Sequence, residues 1–172
     1  MKRLACILLV TLVAGIAAAF IVFPSTYTVT RGKWVSGNVN SLIQSDDDRL
    51  VIAMGPKVSF YDAPLDLQFD ALCSTDTPSV LILELEAKGN ARGLLQYVEM
   101  FEWQSGTWVT LDVRPVSMTD ETTQINIPTC WRFAKQGTGQ MRLRYWVSNV
   151  APVSIPNWKV SIDKLNWDVD PQ

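Results

Sequence analysis

The chain has 172 residues, 48% hydrophobic and 19% charged, with a net charge of −2; that length holds one domain with a sizeable core and is short for two. It contains no histidine, three cysteines and seven tryptophans. This composition excludes a disordered chain and a disulfide-dense miniprotein, and the missing histidine excludes Ser/His/Asp or Cys/His relays and any histidine-ligated metal.

Lys2 and Arg3 precede an uncharged, mostly apolar run from Leu4 to Phe23 that ends at Pro24. A basic start, an apolar stretch and small residues at Ala17 and Ala19 make a cleavable export signal. Twenty apolar residues also suffice to cross a bilayer as a helix, so residues 1–24 read as a signal peptide or as an N-terminal membrane anchor. Either reading places residues 25–172 outside the cytoplasm, secreted or anchored to the cell membrane, with membrane contact only through the uncleaved segment. Cys6 lacks the apolar stretch before it that a lipoprotein cysteine needs. Cleavage after Ala19 leaves 13 basic and 17 acidic residues, a net charge of −4. Without a basic stripe to neutralise phosphates, nucleic acid is not an expected partner.

Beyond the leader, period-two patterning broken by turn residues predicts strands at Tyr27–Arg31, Trp34–Ser36, Leu50–Ala53, Val58–Tyr61, Leu65–Leu72 and Val80–Ala87. Further strands follow at Gln96–Trp103, Trp108–Val113, Thr122–Ile127, Met141–Ser148 and Trp158–Val169. One helical turn is expected within Val39–Arg49. Eleven short strands without helical periods point to an all-β antiparallel sandwich, jelly-roll-like, behind the N-terminal hydrophobic segment. In Val80–Ala87 the odd positions are apolar and Glu84 and Glu86 lie opposite; in Met141–Ser148 Arg142, Arg144 and Trp146 lie opposite the apolar set. The apolar parity changes between Ile162 and Leu165, which predicts a β-bulge near Asp163 and Lys164. Cys73 and Cys130, with 56 residues between them, read as one disulfide in an oxidising exterior, the alternative being two buried free thiols.

The segment Phe101–Trp108 reads as a hairpin centred on Ser105 and Gly106, with Trp103 opposite Trp108. One face then carries Val98, Met100, Val109, Leu111 and Val113 as core. The other carries Tyr97, Glu99, Phe101, Trp103, Trp108, Thr110, Asp112 and Arg114. Rings with hydrogen-bonding neighbours suit a sugar, whose apolar face stacks while its hydroxyls need polar partners. The candidate ligand-binding residues are therefore Tyr97, Phe101, Trp103, Trp108, Asp112 and Arg114, set against plain cross-strand aromatic packing. Burial of both Trp103 and Trp108 would remove the platform. Trp131, Trp146 and Trp158 make a candidate second aromatic surface, with core packing as the alternative. Asp46 and Asp48 are candidate calcium ligands, the favoured reading of their loop being a solvated turn or a helix cap. Glu84 and Glu86, about 6.5–7 Å apart along one strand face, have a spacing that glycoside hydrolysis allows, but two such glutamates read as solvated and nothing marks either as a raised-pKa acid. Catalytic residues are therefore expected to be absent, as are cofactors, a structural calcium being left open.

Four segments carry a resemblance: Ser45–Val51 (SDDDRLV), Phe101–Asp112 (FEWQSGTWVTLD), Gly137–Arg144 (GTGQMRLR) and Trp158–Asp163 (WKVSID). Together they resemble a set of uncharacterised exported bacterial β-sandwich domains. The closing strand with its Ile-Asp and the hairpin ending in G-x-W are similar to galactose-binding-like jelly rolls and related carbohydrate-binding modules. That resemblance implies a β-sandwich with a non-catalytic binding role. Glu102 stands where such hairpins often carry asparagine, and Lys164 where a second aspartate often follows, so no sugar- or calcium-binding residue is carried over. The expected function is an extracytoplasmic binding module whose partner is a glycan or cell-surface component. The rivals are a structural envelope or matrix protein making protein–protein contacts and, less favoured, a carboxylate-only hydrolase.

Overall fold

The computed structural model describes residues 18–56, 63–149 and 157–171. Among these residues eleven strands form two antiparallel sheets. One sheet has the order β3 (Lys33–Ser36), β4 (Leu50–Ala53), β11 (Lys159–Pro171), β6 (Pro78–Gly89) and β9 (Glu121–Asn126), and β1 (Phe20–Val22) also pairs with β11. The other sheet has the order β2 (Thr26–Arg31), β5 (Leu65–Leu72), β10 (Gln140–Asn149), β7 (Leu94–Glu102) and β8 (Thr107–Pro115). The expected all-β sandwich is thus the observed architecture. The expected strand at Val58–Tyr61 lies outside the described residues, as does the leader before residue 18.

Alternation builds the core. On β6 the buried residues Leu81, Leu83, Leu85 and Ala87 face Leu67, Phe69, Leu143, Tyr145 and Val147 of the second sheet within one apolar cluster. Each large side chain so buried contributes about 1.5–3 kcal/mol. One polar pair is enclosed with them: the Tyr145 hydroxyl donates to Gln96 Oε1 at 2.9 Å, satisfying a group that would otherwise be costly there.

The bulge read from the change of apolar parity is present. Ile162 pairs with Ala87 and Lys164 with Glu86, leaving Asp163 as the extra residue. This lets Trp158, Val160 and Ile162 on one side of it, and Leu165, Trp167 and Val169 on the other, all point into the core. A single 3-10 turn, Val39–Leu42, fills the expected helical position, with Asn38 Oδ1 accepting from the Asn40 N–H at 2.8 Å.

Phe20, Ile21 and Val22 pair with Val169, Asp168 and Trp167, and Val22 is buried. The last part of the apolar run is therefore strand, made so by pairing with the end of β11. Cys73 and Cys130 are buried free thiols rather than a disulfide. The Cys130 thiol instead donates to the Pro78 carbonyl at 3.0 Å. Burial pushes both thiols above the ordinary range. Among the described residues no helix is long and apolar enough to cross a membrane.

Candidate functional site

The β7–β8 hairpin carries the aromatic strip, in a register different from the expected one. Phe101 pairs with Trp108 and Glu102 with Thr107, so residues 103–106 form the turn and Trp103 is not opposite Trp108. A two-residue turn needs positive φ at both central residues or at the first. Here Gly106 has φ of 68° while Ser105 is not left-handed. Gly106 therefore closes a longer turn, its N–H donating to the Glu102 carbonyl at 2.9 Å.

A bulge then reorders the faces. Glu99 pairs with Thr110 but Val98 pairs with Asp112, leaving Leu111 unpaired. Cross-strand partners share a face, so Asp112 and Arg114 fall on the side of the buried Val98 and Gln96, while Val113 turns outward and is 46% exposed. Asp112 and Arg114 thus leave the strip, and Val113 leaves the core. Arg114 grips Asp112 through Nε at 2.7 Å and Nη2 at 2.9 Å, and its Nη1 donates to Thr123 Oγ1 of β9 at 2.9 Å. This pair ties the edges of the two sheets together.

What remains on the outer face is Tyr97, Glu99 and Phe101 from β7 with Trp108 and Thr110 from β8. They are joined by Arg142, Arg144 and Trp146 of β10. Tyr97 lies flat on Trp146, ring centroids 3.5 Å apart and planes within 4°. Phe101 meets Trp103 edge-on at 5.0 Å and Trp108 at 5.4 Å. The Arg144 guanidinium sits 6.0 Å from the rings of both Trp108 and Trp146 and is fixed by Asp66 at 2.6 Å and Glu99 at 3.3 Å. Glu99 also accepts from Thr110 Oγ1 at 3.2 Å. Tyr97, Phe101, Trp103, Trp108 and Trp146 are all half-buried. The rings are therefore partly spent on one another and partly open, with the Arg144 cation beside Trp108 and Trp146.

Beyond Trp103 the surface opens into a cavity of about 640 Å³. Trp103 and Gln104 of the hairpin form one wall. Trp131 and Arg132 of a second 3-10 turn (Cys130–Arg132), followed by Lys135 and Gln136, form another. Sequence reasoning missed this turn because three residues carry no period. It is docked on the hairpin by the Trp103 N–H donating to the Arg132 carbonyl at 3.1 Å and by an Arg132 Nε to Glu102 Oε1 bond of 2.6 Å. Trp131 is 44% exposed. Lys135 Nζ lies 5.1 Å from the Trp103 ring centroid, and Arg142 lies 5.5 Å from it. Trp103 Nε1 is buried without a hydrogen-bond partner among the described residues. Asp76 borders the cavity and accepts from the Gly137 N–H at 2.6 Å.

The other candidates separate. Trp131, Trp146 and Trp158 do not form one surface: Trp158 is in the core at 1% exposure, Trp146 is stacked on Tyr97, and Trp131 stands at the cavity. Asp46 and Asp48 are used within their loop, the Asp48 N–H donating to Asp46 Oδ1 and Ser41 Oγ to Asp48 Oδ2, both at 3.1 Å. Glu84 is engaged by Lys164 at 3.1 Å and by Asn166 at 3.4 Å. Its neighbour Glu86 belongs to a different cluster, so the two carboxylates do not face one another across a cleft.

Comparison with known proteins places the fold. No protein-family model matches the chain, and no curated protein matches it. Solved structures do. A family 29 carbohydrate-binding module from Piromyces equi is similar over 90% of this chain and 93% of its own, with a TM-score of 0.52 and 9% identity. A mutant family 29 module complexed with mannohexaose is similar over 90% and 93%, with a TM-score of 0.51 and 8% identity. The likeness is one of fold. The β-sandwich of these modules is the architecture of this chain.

Proposed function

We propose that the protein is a non-catalytic module that binds a glycan at the hairpin end of the β2-β5-β10-β7-β8 sheet. The observation that carries this reading is the cavity of about 640 Å³ flanked by the rings of Trp103 and Trp131. Its volume falls within the range of small-ligand sites, roughly 300–1,000 Å³. The rings offer apolar faces to a sugar, and Gln104, Gln136, Arg132 and Lys135 offer the hydrogen-bonding groups its hydroxyls need. The half-buried strip of Phe101, Trp108, Tyr97 and Trp146 extends this surface along β7 for about 13 Å. Likeness in fold to modules that bind carbohydrate supports the reading by analogy. We also propose that the domain is extracytoplasmic. Lys2 and Arg3, the apolar run and the Ala17–Ala19 pattern support export, and a cut after Ala19 would leave β1 intact.

The test is a glycan-array screen of the full chain followed by tryptophan-fluorescence titration of each hit. Trp131→Ala and Trp103→Ala are expected to weaken binding more than tenfold. Trp34→Ala, at a residue 53% exposed on β3 of the other sheet, is expected to leave it unchanged. A folded chain that binds no glycan, or that binds equally well after Trp131→Ala, would overturn the assignment.

A further inference from the structure

On the sheet opposite the aromatic surface, three carboxylates converge. Glu86 of β6, Asp120 just before β9 and Asp163 in the β11 bulge each bring an oxygen within 4.8 Å of the others. Glu86 is 9% exposed and Asp163 only 2%. The neighbouring cations satisfy part of this charge. Lys88 Nζ lies 2.8 Å from Asp120 Oδ2, and Arg49 Nη2 lies 3.1 Å from the same oxygen and 3.6 Å from Asp163 Oδ2. The Asp47 N–H also donates to Asp163 Oδ2, at 3.4 Å. Those contacts fall on one oxygen of each aspartate.

The other side is unmet. Asp163 Oδ1 is buried with no hydrogen-bond partner, and Glu86 has no ion-pair partner among the described residues. A buried carboxylate oxygen without a partner is costly. Hard carboxylate oxygens without nitrogen or sulfur donors suit an alkaline-earth ion. Oxygens within 4.8 Å of one another are close enough to share one Ca²⁺, whose bonds of about 2.4 Å let two ligands on opposite sides stand up to roughly that far apart.

We propose that Glu86, Asp120 and Asp163 hold a calcium ion, with Asp163 Oδ1 as a ligand and Arg49 remaining on the Oδ2 side. The ion joins β6, β11 and the segment before β9, and steadies the Asp46–Arg49 loop that rests on Asp163. The site is separate from the aromatic cavity, so the proposal stands or falls independently of glycan binding.

The test is isothermal titration of Ca²⁺ into the EDTA-treated full chain, with thermal melts in EDTA, Ca²⁺ and Mg²⁺. One Ca²⁺ per chain is expected, with Tm rising by about 5–10 °C at a hundredfold excess over Kd and less in Mg²⁺. Glu86→Gln and Asp163→Asn, each checked for an unchanged β-sheet circular dichroism spectrum, are expected to lose at least tenfold in affinity. Asp46→Asn, at an aspartate outside the ligand set, is expected to retain it. Absence of Ca²⁺ binding by the wild-type chain would overturn the proposal. So would a calcium-induced Tm rise that persists undiminished in Glu86→Gln and Asp163→Asn.

Discussion

Replacing Arg144 by methionine tests whether the aromatic face is held by its charge network or merely decorated by it. The side chain keeps most of its apolar volume but loses the cation that meets Asp66 at 2.6 Å and Glu99 at 3.3 Å. The side chains of those carboxylates are only 6% and 12% exposed, so after the substitution two largely dehydrated charges face one another. Breaking a fully buried pair costs about 3–5 kcal/mol. Arg144 is itself 33% exposed, and water screens part of the interaction, which brings the expected loss to about 2–3 kcal/mol. For a sandwich of this size that is a fall in Tm of about 5–10 °C. Urea unfolding gives the energy directly, and tryptophan emission reports the face, because the guanidinium lies 6.0 Å from Trp108 and Trp146. Asp66→Asn removes one of the stranded charges, so the double variant Arg144→Met/Asp66→Asn is expected to be more stable than the sum of its singles by about 1 kcal/mol or more. An Arg144→Met loss below about 0.5 kcal/mol, with additive singles, would refute the reasoning and reduce the triad to a solvated surface contact.

Three further outcomes follow from the packing. In a Cys6→Ser background, Cys73 and Cys130 are expected to resist Ellman's reagent until the chain unfolds, and reductant is expected to leave Tm unchanged; a reductant-sensitive Tm would contradict the free, buried thiols. Gly139→Ala is expected to cost more than Gly106→Ala, by urea unfolding, although both have φ of 68°. A Cβ at residue 139 would fall 2.1 Å from the Cys73 carbonyl oxygen, whereas one at residue 106 meets nothing within 4 Å; equal costs of about 1–2 kcal/mol would mean that only the backbone conformation matters. Trp158→Ala is expected to cost about 3–5 kcal/mol, and Trp158→Phe clearly less, because phenylalanine fills most of the space and removes a buried Nε1 that has no partner among the described residues.

The two bulges show what the sequence could and could not disclose. At Asp163 the extra residue shifts an otherwise strict apolar alternation, Trp158, Val160 and Ile162 giving way to Leu165, Trp167 and Val169, so the irregularity is written into the side chains. At Leu111 the apolar residues Val109, Leu111 and Val113 keep one parity straight through the bulge, and Val113 is exposed although it is valine. No phase change marks that site. The consequence is functional, because this unmarked residue removes Asp112 and Arg114 from the aromatic face. Strand β1 was hidden for a related reason: Phe20–Val22 continue an apolar run, and only pairing with β11 distinguishes them from it.

The cavity was harder still to read, because it depends on separations along the chain rather than on local pattern. Trp103 and Trp131 are 28 positions apart and approach through the hydrogen bond from the Trp103 N–H to the Arg132 carbonyl. The buried Glu102 anchors the same junction by pairing with Arg132. Glu102 was the residue that departed from the asparagine of similar hairpins, so this departure has a structural use: it provides the charge that docks the tryptophan-bearing turn. If the cavity is the glycan site, Glu102→Asn should therefore weaken binding by loosening Trp131, even though Glu102 does not line the cavity.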